Sequence, residues 1–216
     1  MIIPDKLHHE IIPGILEQEW SEIEKKIELV KPFAKTIHID LLDSVFAPNK
    51  TFFDPAPFKK YTEQEIIFEL HMMVDNPTQY LKPWADAGFK RFIGQIEHMP
   101  DVAEFVAAGQ LLGEVGLALD TPTPVEKITV SLEDLDFVFV MTVKAGFSRQ
   151  SFLPEMLEKV KSLRAKSPFI PIEIDGGVSD QTITQAKDAG TTRFVSTGFL
   201  FGGNPQEQYQ KLCGFM

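Results

Sequence analysis

The sequence switches between apolar runs of strand length and helix-like segments eight times in succession. Nothing else in it restricts the fold as strongly. A strand–helix–strand repeat lays its strands parallel, and strands that are apolar almost throughout need helices over their outer face. Strands are predicted at Glu10–Ile15, Lys35–Leu42, Ile66–Val74, Arg91–Ile96, Glu114–Leu119, Phe137–Thr142, Ile170–Ile174 and Arg193–Ser196. Helices are predicted at Glu17–Val30, Pro57–Gln64, Thr78–Ala87, Asp101–Ala108, a short stretch ending at Val130, Leu153–Ala165, Ser179–Ala189 and near Pro205–Cys213. Gly88, Gly109 and Gly190 read as helix stops and Ser179 as an N-cap. A closed (β/α)8 barrel needs at least about 200 residues. One such domain over residues 1–216 fits better than the alternative, an open doubly wound sheet, because no linker or composition break divides the chain.

Such a barrel carries its chemistry at the C-terminal ends of its strands. Strand two ends Thr36-Ile37-His38-Ile39-Asp40-Leu41-Leu42, and alternation places His38 and Asp40 on one face. Burying that pair without partners costs roughly several kcal/mol. A metal ion would relieve the cost, and so would a plain His–Asp hydrogen bond. His71 ends strand three and Asp175 ends strand seven, so four ligand-type side chains converge on one mouth. Two imidazoles and two carboxylates suit a divalent Zn, Fe, Mn or Co ion. The simpler readings are a hydrogen-bonded core histidine for His71 and a helix-capping role for Asp175. Asp43 is expected to support the irregular stretch Asp43–Asp54. His8, His9 and His98 are expected in loops or on the surface, and Gln95 and Glu97 along the mouth.

Glycines follow three late strands, in Ala145-Gly146-Phe147-Ser148, Gly176-Gly177-Val178 and Thr197-Gly198-Phe199. Glycine lets backbone approach a ligand closely. Loops after strands seven and eight of a barrel, with a short extra helix, often hold phosphate. Gly198-Phe199-Leu200-Phe201 is the candidate for that helix. Met73 and Met141, also at strand ends, are candidates for an apolar wall beside the metal.

A net charge of −10 argues against nucleic acid or anionic membrane as a partner, but not against an anionic small molecule held by backbone amides. Cys213 is the only cysteine, so no intramolecular disulfide forms. With no basic-then-apolar leader in Met1–Glu10 and no apolar stretch of about 18 residues, a reducing, cytoplasmic setting is expected.

The motifs together resemble the ribulose-phosphate 3-epimerase family almost end to end. They are Ile12-Pro13-Gly14-Ile15-Leu16, His38-Ile39-Asp40 with Asp43, Phe46-Ala47-Pro48-Asn49, Leu70-His71-Met72-Met73 with Asn76-Pro77, Met141-Thr142-Val143, Gly146-Phe147 with Gln150, Phe152 and Pro154, and Glu173-Ile174-Asp175-Gly176-Gly177. The resemblance implies a (β/α)8 barrel of the pentose phosphate pathway that interconverts ribulose 5-phosphate and xylulose 5-phosphate. It implies a divalent metal on His38, Asp40, His71 and Asp175, acid/base roles for Asp40 and Asp175 through a metal-stabilised enediolate, and dimers or hexamers. Inverting a carbon beside a carbonyl needs a proton removed from one face and returned to the other, which two carboxylates can do. The expected substrate-binding residues are Gly14, Met73, Met141, Gly146, Phe147, Gly176, Gly177, Thr197 and Gly198. The chain departs from the family pattern at several of them. Gly14 stands for a usual Ser, Leu42 for a Met, Ser44 for a Gly, and Ser148-Arg149 for Gly-Gly. Thr197-Gly198 stands where Gly-Ser is usual. These departures leave two alternatives: a hexulose 6-phosphate such as allulose 6-phosphate, given room by Gly14, or a barrel that binds sugar phosphate without turnover.

Overall fold

The computed structural model describes residues 8–62 and 65–216. Its centre is a closed barrel of eight parallel strands in chain order, each hydrogen-bonded to the next and β8 closing on β1. They are β1 Glu10–Ile15, β2 Thr36–Leu42, β3 Ile67–Met73, β4 Arg91–Gln95, β5 Glu114–Leu119, β6 Phe137–Met141, β7 Ile172–Asp175 and β8 Arg193–Ser196. Around it lie α1 Trp20–Val30, α2 Lys59–Thr62, α3 Thr78–Asp86, α4 Val102–Gln110, α5 Leu157–Lys166, α6 Ile183–Ala189 and α7 Pro205–Cys213.

Side chains on the outer barrel face, such as Ile37, Ile39, Phe68, Leu70 and Phe92, pack against buried helix residues including Ile23, Ile27, Leu81, Trp84 and Phe105. This layer holds most of the buried apolar surface, and burial of this kind dominates folding at about 25 cal/mol per Å². Phe58, Phe68, Trp84 and Phe89 form edge-to-face or tilted ring contacts at 4.9–5.6 Å between the barrel and its helices. The abundance of Phe, 18 residues, serves that layer.

Several predicted helices differ from those observed. The connection from β5 to β6 holds only two short 3-10 turns, Val125–Lys127 and Leu132–Asp134. Pro122 and Pro124 disfavour helical backbone before the first of them. Gly109 does not stop α4, which runs on to Gln110. A Cβ there would lie 2.5 Å from Val115 Cγ2, so this glycine is a close approach of helix to strand. Ser179 is not the N-cap of α6, and its hydroxyl accepts from Gln181 N at 3.3 Å instead. Thr182 precedes α6, and its hydroxyl donates to Gly177 O (2.8 Å) and accepts from Ser179 N (2.9 Å), holding the chain in a turn until Ile183. Pro154–Met156 forms a 3-10 turn ahead of α5. The expected helix at Pro57–Gln64 is a 3-10 turn plus α2, and its last two positions lie outside the described residues. So does most of Met1–Glu10. Gly190 ends α6 at φ +111°, as expected.

Candidate active site

Register brings the site together. Asp40 pairs with His71 across β2 and β3, His38 sits beside Glu69 one step below, and Asp175 lies beside Met141. One ligand atom from each of His38, Asp40, His71 and Asp175 lies within 4.8 Å of the others. His38 Nε2 is 3.2 Å and His71 Nδ1 3.0 Å from Asp40 Oδ1. Both imidazoles are fully buried, and Phe139 packs against them, its ring nearly parallel to that of His38.

Beneath this group lies an ionic layer to which the sequence motifs assign no role. Glu69 Oε1 accepts from His38 Nδ1 at 2.7 Å, and its other oxygen accepts from Arg91 at 2.6 Å. Arg91 also donates to Glu114 at 2.8 Å. Arg193 and Arg91 both face the Phe137 ring, at 4.9 and 5.7 Å. Glu173 is wholly buried with neither oxygen hydrogen-bonded by a basic group. The signal was available: Glu69 stands two before His71 and Glu173 two before Asp175, which in a strand means the same face one layer down. Gln95 belongs here rather than at the mouth, since it is buried against His71. Glu97 lies in a 3-10 turn and accepts from Asp120 N at 2.8 Å.

The environment separates the two aspartates. Burial raises the Asp40 pKa, but His38 and His71 outweigh it and bring the pKa down to about 2. For Asp175 burial, then the charge of Asp40, outweighs the lowering by His38 and by the Gly176 amide and pushes the pKa up to about 7. Burial lowers the pKa of His71 and keeps it neutral. Burial also opposes the charge of His38, yet Asp40 and Glu69 raise its pKa well above the ordinary value. Burial and Glu69 raise the Glu173 pKa well above the ordinary carboxyl value, against the lowering effect of Arg91 and Arg193.

The donor set fits a divalent cation. Two carboxylates crowd each other, and a cation between them would relieve the repulsion. Glu69 fixes His38 by its Nδ1–H, leaving Nε2 toward the group. Gln95 Oε1 is buried with no partner, while its Nε2 lies 3.0 Å from His71 Nε2. Amide orientation is an assignment that the hydrogen-bond network decides. With the amide turned, His71 Nε2–H donates to Gln95 Oε1 and the Nδ1 lone pair is free for a metal. Partners of this kind orient metal-binding histidines.

Above the cluster opens a cavity of about 310 Å³, with Asp40 and Asp175 among its lining residues. Met73, Met141, Gly146, Phe147, Gly176, Gly177, Thr197 and Gly198 also line it, whereas Gly14 does not. Gly176 and Gly177 turn at φ +117° and +68°, and a Cβ on either would lie under 3 Å from Val143 or Phe152, so the turn that lines the cavity after β7 requires glycine at both positions. Asp43 is structural, as expected: it accepts from the amides of Val45, Phe46 and Asp75 at 2.7–3.1 Å.

A sequence model of the Ribulose-phosphate 3 epimerase family matches residues 10–201. The chain belongs to that family. Ribulose-phosphate 3-epimerase of Schizosaccharomyces pombe is 37% identical over 204 residues, covering 92% of this chain and 89% of that protein. The cytoplasmic isoform of Oryza sativa subsp. japonica is 35% identical, covering 89% and 87%. Among solved structures, KGPDC from Streptococcus mutans has a TM-score of 0.75 at 12% identity over 97% of each chain. A 3-hexulose-6-phosphate synthase has a TM-score of 0.71 at 18% identity, covering 96% of this chain and 99% of its own. These two share the fold. Membership makes the chain an epimerase, hence an isomerase of carbohydrate metabolism, and sets aside the reading without turnover. No helix among the described residues is long and apolar enough to cross a membrane.

One departure from the epimerase pattern is explained by packing. A Cβ on Gly14 would lie 2.3 Å from Thr197 Oγ1 and 2.7 Å from a Val195 methyl. The room expected at Gly14 is therefore already filled by Thr197, which stands where the family usually has glycine. The hexulose reading thus loses the space that suggested it.

Proposed function

We propose that this epimerase interconverts D-ribulose 5-phosphate and D-xylulose 5-phosphate, with Asp40 and Asp175 handling the proton at C3. One carboxylate takes the C3 proton, and the C–H electron pair moves into the C2–C3 bond as the carbonyl π pair moves to O2. The other aspartate, protonated, then delivers its proton to the opposite face of C3. The two residues end with their protonation states exchanged. The observation that carries this reading is the pair itself: two carboxyls on one cavity whose surroundings drive their pKa values apart, to about 2 and about 7. Such a split marks a base and an acid ready together near neutral pH. His38, Asp40, His71 and Asp175 would hold a divalent cation, whose chemistry is Lewis-acid stabilisation of the charge developing on the enediolate oxygens. Met73 and Met141 form the apolar wall beside the reacting carbon, and the glycine loops after β6, β7 and β8 receive the phosphate end. Side-by-side kinetics on ribulose 5-phosphate and allulose 6-phosphate test the substrate. A higher kcat/KM for the pentulose is expected, and no preference contradicts the assignment.

Metal binding has its own expected signature. A carboxyl whose folded pKa is raised, as for Asp175, costs stability as pH rises from about 4, its ordinary value, to about 7. The raised pKa of His38 acts in the same direction: its contribution is full below about 6.5 and is lost as pH climbs through the folded value. A cation competes with those protons, so it binds more tightly as pH rises. At 100 times its Kd it should stabilise the chain by about 2.7 kcal/mol, which for this size is roughly 5–10 °C in Tm. Melting curves of chelated and metal-loaded protein should diverge more at pH 8 than at pH 6. Equal curves at both pH values would rule the metal out.

A further inference from the structure

Arg149 is the one cation among the described residues lining the central cavity, whose lining includes Asp40 and Asp175. Its surroundings are unusual for a surface arginine. No ion pair or hydrogen bond with the described residues holds its side chain, so among them the charge is unmatched. Its backbone sits at φ +62°, a left-handed conformation that side chains disfavour and glycine adopts freely. Strained backbone of this kind persists where surrounding structure enforces it, often at ligand sites. The stem of Arg149 lies against Gly198, since a Cβ on that glycine would be 3.5 Å from Arg149 Cγ. Arg149 also borders a second, polar cleft of about 250 Å³, shared with Ser148, Thr197 and Gly198. The other cation of that cleft, Lys26, is already paired with Glu17 at 2.5 Å.

We infer that Arg149 is the residue that recognises the phosphate of the substrate and fixes which end of the sugar enters first. This deepens the reading given above and rests on it for the identity of the sugar. A phosphorylated ketose approaching a protein of net charge −10 meets two carboxyls at the reacting end. Its phosphate finds an unmatched guanidinium on the same cavity, away from the His38, Asp40, His71 and Asp175 group that takes the reacting end. A guanidinium offers a fork of donors to phosphate oxygens, where an ammonium offers a point charge. The Arg149 stem runs alongside Gly198 at van der Waals distance.

The test compares wild type with Arg149→Gly and Arg149→Lys in two measurements: binding of inorganic phosphate by calorimetry, and steady-state epimerisation of ribulose 5-phosphate. In Arg149→Gly the Kd for phosphate and the KM are both expected to rise roughly 10–100-fold, the range for losing charge-assisted hydrogen bonds. The kcat should change less than about threefold and the salt dependence of KM should flatten. Arg149→Lys should fall between. Glycine suits the left-handed backbone better than arginine, so a purely structural role for Arg149 predicts unchanged or improved binding. A Kd and KM within about twofold of wild type in Arg149→Gly overturn the inference. Phosphate binding that depends on Arg149 in a chain that does not epimerise ribulose 5-phosphate would instead keep Arg149 and sink the substrate reading.

Discussion

Asp175→Asn is expected to lower kcat by about 10³-fold or more while leaving the barrel folded. A positioned acid or base contributes roughly 10²–10⁴-fold, and the amide can neither hold nor deliver the C3 proton. The change is nearly isosteric at the last residue of β7, whose backbone carbonyl accepts from Thr142. A second measurement separates chemistry from folding. The metal-free wild type should lose stability between about pH 4 and 7 as Asp175 is forced to ionise beside Asp40. In Asp175→Asn that component should vanish, giving a flatter profile of Tm against pH. Turnover near the wild-type level would show that Asp175 carries no proton.

Glu69→Ala is expected to be the most damaging change away from the cavity. Glu69 is wholly buried and holds His38 with one oxygen and Arg91 with the other. Burial raises its pKa, but Arg91 and His38 more than offset that and keep it ionised. Removing one partner of a buried pair leaves the other charge uncompensated, at about 3–5 kcal/mol, which in a chain of this size is roughly 6–20 °C in Tm. Glu69→Gln keeps the shape and one acceptor, so it should be milder in stability. Metal affinity should still fall by roughly 10–100-fold, the usual effect of losing the group that orients a metal-binding histidine. Thermal melts and metal titration of both variants check this. A loss within about 1 kcal/mol for Glu69→Ala would mean that the ionic layer is solvated or rearranges freely.

The barrel and its four converging side chains were legible because both follow from period. Alternation fixes which strand residues face inward, and strand ends fix where they meet. His71 and Asp175 could be joined to His38 and Asp40 on those grounds alone. The layer below was less visible. Arg91 stands at the first position of β4, where nothing in the sequence marks it as buried, yet it is 3% exposed because Glu69 and Glu114 reach it from neighbouring strands. Such partners are set by register, which the apolar pattern does not disclose when both strand faces are buried. Gly14 misled for a related reason. A missing side chain reads as space, but Thr197 from the far end of the chain occupies it. Helix starts depended on single hydroxyls: Ser179 and Thr182 are equivalent as capping types, and the turn that Thr182 makes with Gly177 decided between them.

The central claim is that two aspartates exchange the proton at C3 of a pentulose phosphate. Incubation of the metal-loaded chain with ribulose 5-phosphate in deuterium oxide, followed by NMR at C3, tests it most directly. Xylulose 5-phosphate carrying solvent deuterium at C3 is expected from the wild type, and no interconversion from Asp175→Asn. Product that keeps its original C3 hydrogen, or inversion that survives in Asp175→Asn, would contradict it.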